Sequence, residues 1–434
     1  MGTMGRTYKD VIGLTGPLLP AVSFLGRLPT ATIQFGSVLL VARTSGSLAA
    51  AGLTGGALAI GQVSCGPLVG RLADRHGQRT VVLVFSLANA VAIAALVAGA
   101  LAGLPTPLVA LLGAAAGATV PLIGPLARAR LVALARRSGA PDDVVGTALS
   151  FESTLDEISF VLGPALVGLA AVLSHPANAL GAAALLVALC GSGFALHPTA
   201  GATRPDAVAT PPTAPPAPHP RRHMPRSVHP LRGALALQGA MFGACQAGIT
   251  ALTERLGQAD QAGLVYAAMG VMSAVAGLSM AAVPARIALT VRWRAATVAA
   301  FVLSLPLLWT HSLGGLYAVV TVLGVAYAPH LITVFGLTER AVPPARLAEA
   351  MAFATSAIVG GQALAVAVTG RLAETYGPTA AFVAASVVAA LACVIALTAR
   401  PASYSGPTTD APLHARVPGR QPITPDRAEA RTEP

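Results

Sequence analysis

The chain has 434 residues, of which 54% are hydrophobic and only 10% charged, and its mean hydropathy is +0.70. That balance excludes a water-soluble protein of two or three domains and makes lipid the main solvent. The formal charge of +11 does not read as a nucleic-acid footprint, because the arginines are scattered between apolar runs rather than gathered on one basic face.

Breaking the chain at charge clusters and Pro/Gly turns leaves twelve apolar runs: 14–42, 48–70, 80–101, 106–127, 145–172, 176–197, 233–253, 262–284, 293–310, 313–337, 347–370 and 377–398. Each is long enough to cross a hydrocarbon core of about 30 Å as a helix. The first run carries Arg27 and Pro29 and is longer than a secretory apolar region, so it is expected to be a retained span. Between the sixth and seventh runs, ATPPTAPPAPHPRRHMPRSVHP, Ala209 to Pro230, is a proline-rich linker. After Arg400 the tail has no apolar period and is expected to be disordered. The expected fold is an all-α membrane protein with two six-helix bundles, 1–198 and 233–399, flanking a linker at 199–232, with a tail at 400–434. Cys65, Cys190, Cys245 and Cys393 all fall in apolar runs without zinc-ligand spacing, so they read as small buried hydrophobes and no metal site is expected.

Basic residues orient the runs. With the N-terminus in the cytoplasm, 24 of the 28 lysines and arginines fall on the cytoplasmic side, against Arg43, Arg255 and Arg371 opposite and Arg27 inside a span. This bias predicts both termini and the linker to be cytoplasmic, in an inner or plasma membrane.

The fifth and eleventh runs echo each other at an offset of 202, which aligns Ala148 with Ala350, Phe151 with Phe353, Leu162 with Leu364 and Gly168 with Gly370. The same offset roughly superposes the two halves, as in transporters built from repeated bundles. Between the second and third runs stands GRLADRHGQR, Gly70 to Arg79. Gly70 removes bulk where helices approach, Gly77 permits a tight reversal, and Asp74 lies on the same membrane side as the start of the eleventh run, near Arg346. In its Gly70, Leu72, Asp74, Arg75, Gly77 and Arg79 this stretch resembles the loop signature of the major facilitator superfamily, departing from it at Gln78. The resemblance implies twelve spans in two bundles and a loop, carried by Asp74 with Arg75 and Arg79, that latches the two halves in the outward-facing state.

Charges within the spans are the most informative residues, since an ionised group at the bilayer centre is costly and marks function. Arg27 lies ~20 Å into the first run and Asp156 with Glu157 ~17 Å into the fifth, a shared depth near the midplane. Glu152, Asp156, Ser159 and Gly163 line one helical face, while Glu157 points about 100° away from Asp156. Arg27 is expected to pair with Asp156 or Glu157, leaving another carboxylate for the cavity. Breaking and remaking such a pair would load and release a proton, which makes Arg27, Glu152, Asp156 and Glu157 the candidate coupling residues. A permanent ion pair between the two spans is the alternative. GPALVG, Gly163 to Gly168, looks like part of the fifth-span motif of drug–proton antiporters in this superfamily, with Ser159 where a glycine is usual. The fourth run has Gly113 where many proton antiporters carry an arginine, and Arg27 is the arginine offered instead.

Gln34, Gln238, Gln246, Tyr327, His330 and Gln362 are the candidate substrate-binding groups, with helix bridging as their other reading. Trp293 and Trp309 bracket the ninth run as expected for an interfacial belt. Lys9 is the only lysine in the sequence, so it offers no phosphate-cradling loop with its lysine, and an ATP-driven pump is disfavoured. No catalytic motif or cofactor is expected, and the partners are the bilayer, a small-molecule substrate and protons. The expected function is secondary transport by alternating access, with proton-coupled efflux of a small amphiphilic or drug-like molecule favoured. Uptake of a small polar metabolite, or a non-transporting receptor or embedded enzyme on the same fold, remains open.

Overall fold

Each apolar run forms a helix, because lipid offers no partner for backbone N–H and C=O groups and a helix satisfies them internally. The computed structural model describes residues 11–203, 224–258, 261–284 and 286–400. Its twelve membrane-length helical spans are span 1, Leu18–Ser45; span 2, Leu48–His76; span 3, Gln78–Leu101; span 4, Thr106–Ala118 continued by Ile123–Arg137; span 5, Asp142–Leu173; and span 6, Pro176–Leu196. The second half contributes span 7, Val228–Arg255; span 8, Ala262–Ala282; span 9, Leu289–Trp309; span 10, Leu313–Ala341; span 11, Leu347–Tyr376; and span 12, Pro378–Thr398. Span 7 begins inside the stretch expected as linker, whose residues 204–223 lie outside the described residues, as does the tail from 401. The end carrying the turn between spans 2 and 3 is called the basic end below; the opposite end is the far end.

Span 4 departs from expectation. It breaks at Thr119–Leu122, where Leu122 takes φ 50°, then resumes as a helix to Arg137. Asn89 of span 3 covers the break, its Nδ2 donating to Ala116 O at 2.7 Å and Thr119 Oγ1 at 3.1 Å. Arg128 and Arg130, counted as loop residues in the orientation argument, are therefore helical and fully buried. Trp293 also departs: it is 0% exposed inside the second half, whereas Trp309 is 70% exposed, so only Trp309 fits a lipid-facing belt.

Glycines set the closest crossings, and these repeat between halves. Gly117 of span 4 abuts the Leu58 carbonyl of span 2, and Gly324 of span 10 abuts the Met269 carbonyl of span 8. Gly163 brings span 5 onto Ala31 of span 1, and Gly361 brings span 11 onto Ala236 of span 7. Small residues let backbones approach closely where no hydrophobic driving force exists between helices.

The core is distributed unequally along the membrane normal. One buried apolar cluster runs through the first half and on into the basic ends of spans 7, 10 and 11, through Leu231, Phe335, Ala348 and Met351. A second stays at the far end of the second half, around Ile249, Leu316 and Phe382. The halves therefore share a core at the basic end. Toward the far end the facing sides fall open: among the described residues nothing lies within 4 Å of where a Cβ would sit at Gly52 and Gly56 of span 2, Gly168 of span 5, Gly263 of span 8 or Gly370 of span 11.

Candidate functional site

Spans 1 and 5 cross closely enough at Gly163 for their long side chains to meet deeper in the bundle. There Arg27, 4% exposed, is fully engaged. Its Nε donates to Ser23 O at 3.2 Å, and its Nη1 to Glu152 O at 3.1 Å and Asp156 Oδ1 at 2.8 Å. Its Nη2 donates to Ser23 Oγ and Glu152 Oε2. Glu152 and Asp156 reach one guanidinium because residues four apart lie on the same helical face. Of the two carboxylates expected as partners, Asp156 takes the role and Glu157 does not; Glu152 is the second partner.

The other Asp156 oxygen, Oδ2, accepts from Arg128 Nη2. Arg128 sits with its guanidinium carbon 4.0 Å over the Phe335 ring of span 10, so the cluster reaches the second half. Span 4 does supply an embedded arginine, contrary to the expectation built on Gly113. The signal for it is local: apolar Leu131, Val132 and Leu134 continue beyond Arg128 at helical spacing, so the helix had not ended. Gly124 makes room for Asp156, since a Cβ there would lie 2.6 Å from Oδ1. Two carboxylates and two guanidiniums thus neutralise one another in a largely buried layer. Arg130, by contrast, is a pin inside the first half, donating to Gln78 Oε1 at 2.9 Å and Phe194 O at 2.8 Å.

Glu157 faces the second half. Its Oε1 accepts from Ser273 Oγ of span 8 at 2.8 Å, and that oxygen in turn accepts from Ala328 N of span 10 at 3.1 Å. Its Oε2 has no hydrogen-bond partner among the described residues.

Contacts between the halves close the basic end at two edges. Asp74 accepts from the first N–H groups of span 11, Ala348 N at 3.2 Å and Glu349 N at 2.8 Å, so it caps that helix from the opposite half. Gly70 allows this, because a Cβ there would stand 2.6 Å from Ala352 Cβ and 2.7 Å from Ala348 O. Glu349, whose N–H Asp74 caps, is paired across the halves by Arg71, whose Nη2 lies 2.8 Å from Oε1, and within its own half by Arg346, 2.8 Å from Oε2. Arg75 and Arg79 make no ion pair among the described residues, and Gly77 serves the turn with φ 86°. At the other edge Arg136 meets Glu339 at 3.2 Å and Asp142 at 2.7 Å, and Arg340 meets Asp142 at 3.1 Å.

The uncharged candidates divide into two groups. Gln238 donates to Tyr327 O at 2.9 Å and the Tyr327 hydroxyl lies 3.5 Å from Cys245 Sγ, a bridge between spans 7 and 10 within the second half. His330 is buried, and its Nε2 has no hydrogen-bond partner among the described residues. Gln34 donates to Gln62 Oε1 at 2.8 Å, and Gln362 to Gln246 Oε1 at 3.5 Å.

Two closed edges, an open far end and a buried ion layer between them invite comparison with known membrane carriers. The sequence model described as Major Facilitator Superfamily matches residues 19–337 and 254–434. The chain belongs to the Major Facilitator Superfamily. Among solved structures it is similar to the human organic anion transporter MFSD10 (TETRAN), at 19% identity and a TM-score of 0.63 over 90% of this chain and 99% of that one. It is also similar to a bacterial homologue of the iron transporter ferroportin in an outward-facing state, at 16% identity and a TM-score of 0.65, and to the E. coli fucose:proton symporter FucP, at 15% and 0.60. Each of these two comparisons covers 88% of this chain and 98% of the other. A comparison with curated proteins gives no match. At these identities the likeness shows the fold alone.

Proposed function

We propose that this superfamily transporter exports a small amphiphilic molecule in exchange for protons. The basic end is the cytoplasmic one, so the closed latch and open far end describe an outward-facing state. The observation that carries the reading is the buried ion layer, which lies on the basic side of the level where the halves part. Asp156 is shared by Arg27 and Arg128, and Arg128 rests on Phe335 of the opposite half. Rocking the halves moves Phe335 and Ser273 away from this layer and changes which partner each carboxyl keeps. Among the described residues Glu157 holds one hydrogen bond, and that bond crosses between the halves, so it is the carboxyl best placed to take a proton when the latch opens.

The test is flux in proteoliposomes under an imposed pH gradient. Transport should follow the gradient in the parent and lose that dependence in Glu157→Gln and Asp156→Asn. A rate that ignores pH and is identical in all three proteins would remove the proton from the cycle. A second reading, uptake of a small polar metabolite, is favoured by the paired glutamines and separates from export by the direction of net flux.

A further inference from the structure

Gln62 has no role in the ion layer or the latch, yet it is only 2% exposed and is bonded to another amide. Its level is informative. Spans 2 and 11 run antiparallel against each other, with Gly70 on Ala352, Gly66 on Ser356 and Val63 3.5 Å from where a Gly360 Cβ would sit. Farther toward the far end, Gly56 and Gly52 of span 2 and Gly370 of span 11 have nothing among the described residues within 4 Å of where a Cβ would sit. Gln62 is one residue beyond Val63 and Gln362 two beyond Gly360, on either side of that parting. Their amide partners, Gln34 and Gln246, sit on spans 1 and 7, the corresponding first helices of the two halves. Four carboxamides therefore stand at one level, where the space between the halves begins. Gln34 is ~10 Å farther along span 1 than Arg27, which places this level above the ion layer.

What lies farther out decides the chemistry. Along the inner spans 1, 2, 5, 7, 8, 10 and 11, no Asp, Glu, Lys or Arg occurs between this level and the far-end rim of Arg43, Glu254, Arg255, Arg371 and Glu374. An ionised cargo resting there would have no counter-charge in a low-dielectric site, whereas amides both donate and accept hydrogen bonds. We infer that Gln34, Gln62, Gln246 and Gln362 form the belt that binds the cargo's polar head, and that this head is uncharged and rich in hydroxyl or amide groups.

This inference rests on the transport reading, so binding and flux are measured separately. The probes share a phenyl ring and differ in the head: phenyl β-D-glucoside and benzoylglycinamide are neutral, phenyltrimethylammonium is cationic and phenyl phosphate anionic. Ligand-induced stabilisation of the full-length protein in lipid nanodiscs should appear with a neutral probe alone and weaken about tenfold in Gln34→Ala and Gln362→Ala. Gln362→Glu, which keeps the shape, should shift the preference toward phenyltrimethylammonium, a change that simple bridging of spans 7 and 11 would not produce. Stabilisation by the charged probes as strong as by the neutral ones, none by either neutral probe, or an unchanged preference in Gln362→Glu would each overturn the belt. Neutral binding without vesicle flux would leave the belt standing and remove the transport reading instead.

Discussion

Asp156 holds two guanidiniums at once, one from span 1 and one from span 4, and its replacement exposes how such clusters work. Asp156→Asn leaves Arg27 and Arg128, both nearly fully buried, sharing the single charge of Glu152. Removing one partner from a buried pair costs about 3–5 kcal/mol, because the remaining charge stays uncompensated. The unfolding midpoint in detergent should therefore fall clearly for Asp156→Asn, whereas Ser159→Ala on the same span should leave it nearly unchanged, since among the described residues Ser159 bonds to its own helix at Leu155 O. Equal midpoints would mean that the ion layer is wet or already open.

At the scale of elements, the approach of span 2 to span 11 is limited by backbone rather than by flexible side chains. A methyl at position 70 would strike Ala348 O and the Glu349 Cα, neither of which can swing aside. Gly70→Ala should therefore pry the basic end apart, and Asp74→Ala should loosen it by removing the acceptor of two helix-end N–H groups. Spin labels at His76→Cys and Arg286→Cys, in a background lacking the four native cysteines, report that opening as a longer distance. Asp74→Ala should also cut flux severalfold while leaving membrane insertion intact. Unchanged flux would show that the cap is dispensable.

Over the whole molecule, closure is spread across two edges, Arg71 with Glu349 and the group of Arg136, Asp142, Glu339 and Arg340. Arg71, Arg136 and Arg340 are each between 42% and 49% exposed, and pairs of that kind contribute only about 0–1 kcal/mol each. Arg71→Ala or Arg136→Ala alone should move the population of the closed basic end little. Together they should shift it by roughly the sum, because the two edges share no partner. The same distance measurement should show the closed population falling as ionic strength rises, since half-exposed pairs are screened. A salt-independent distribution would assign closure to the apolar core through Phe335 and Met351 instead.

The sequence by itself determined the twelve spans, the two halves, the loop from Gly70 to Arg79 and the presence of Arg27, Glu152, Asp156 and Glu157 at membrane depth. Run length, apolar period and charge placement are local properties that a one-dimensional chain displays in full. Only the tertiary structure decided that Arg27 takes Glu152 and Asp156, that Arg128 joins them, that Arg71 rather than Arg75 or Arg79 makes the ion pair beside Asp74, and that Trp293 turns inward. Those outcomes depend on how each helix is rotated and how deep it sits against its neighbours. Rotation and depth come from glycine contacts and helix breaks such as Leu122, which join residues far apart in the chain.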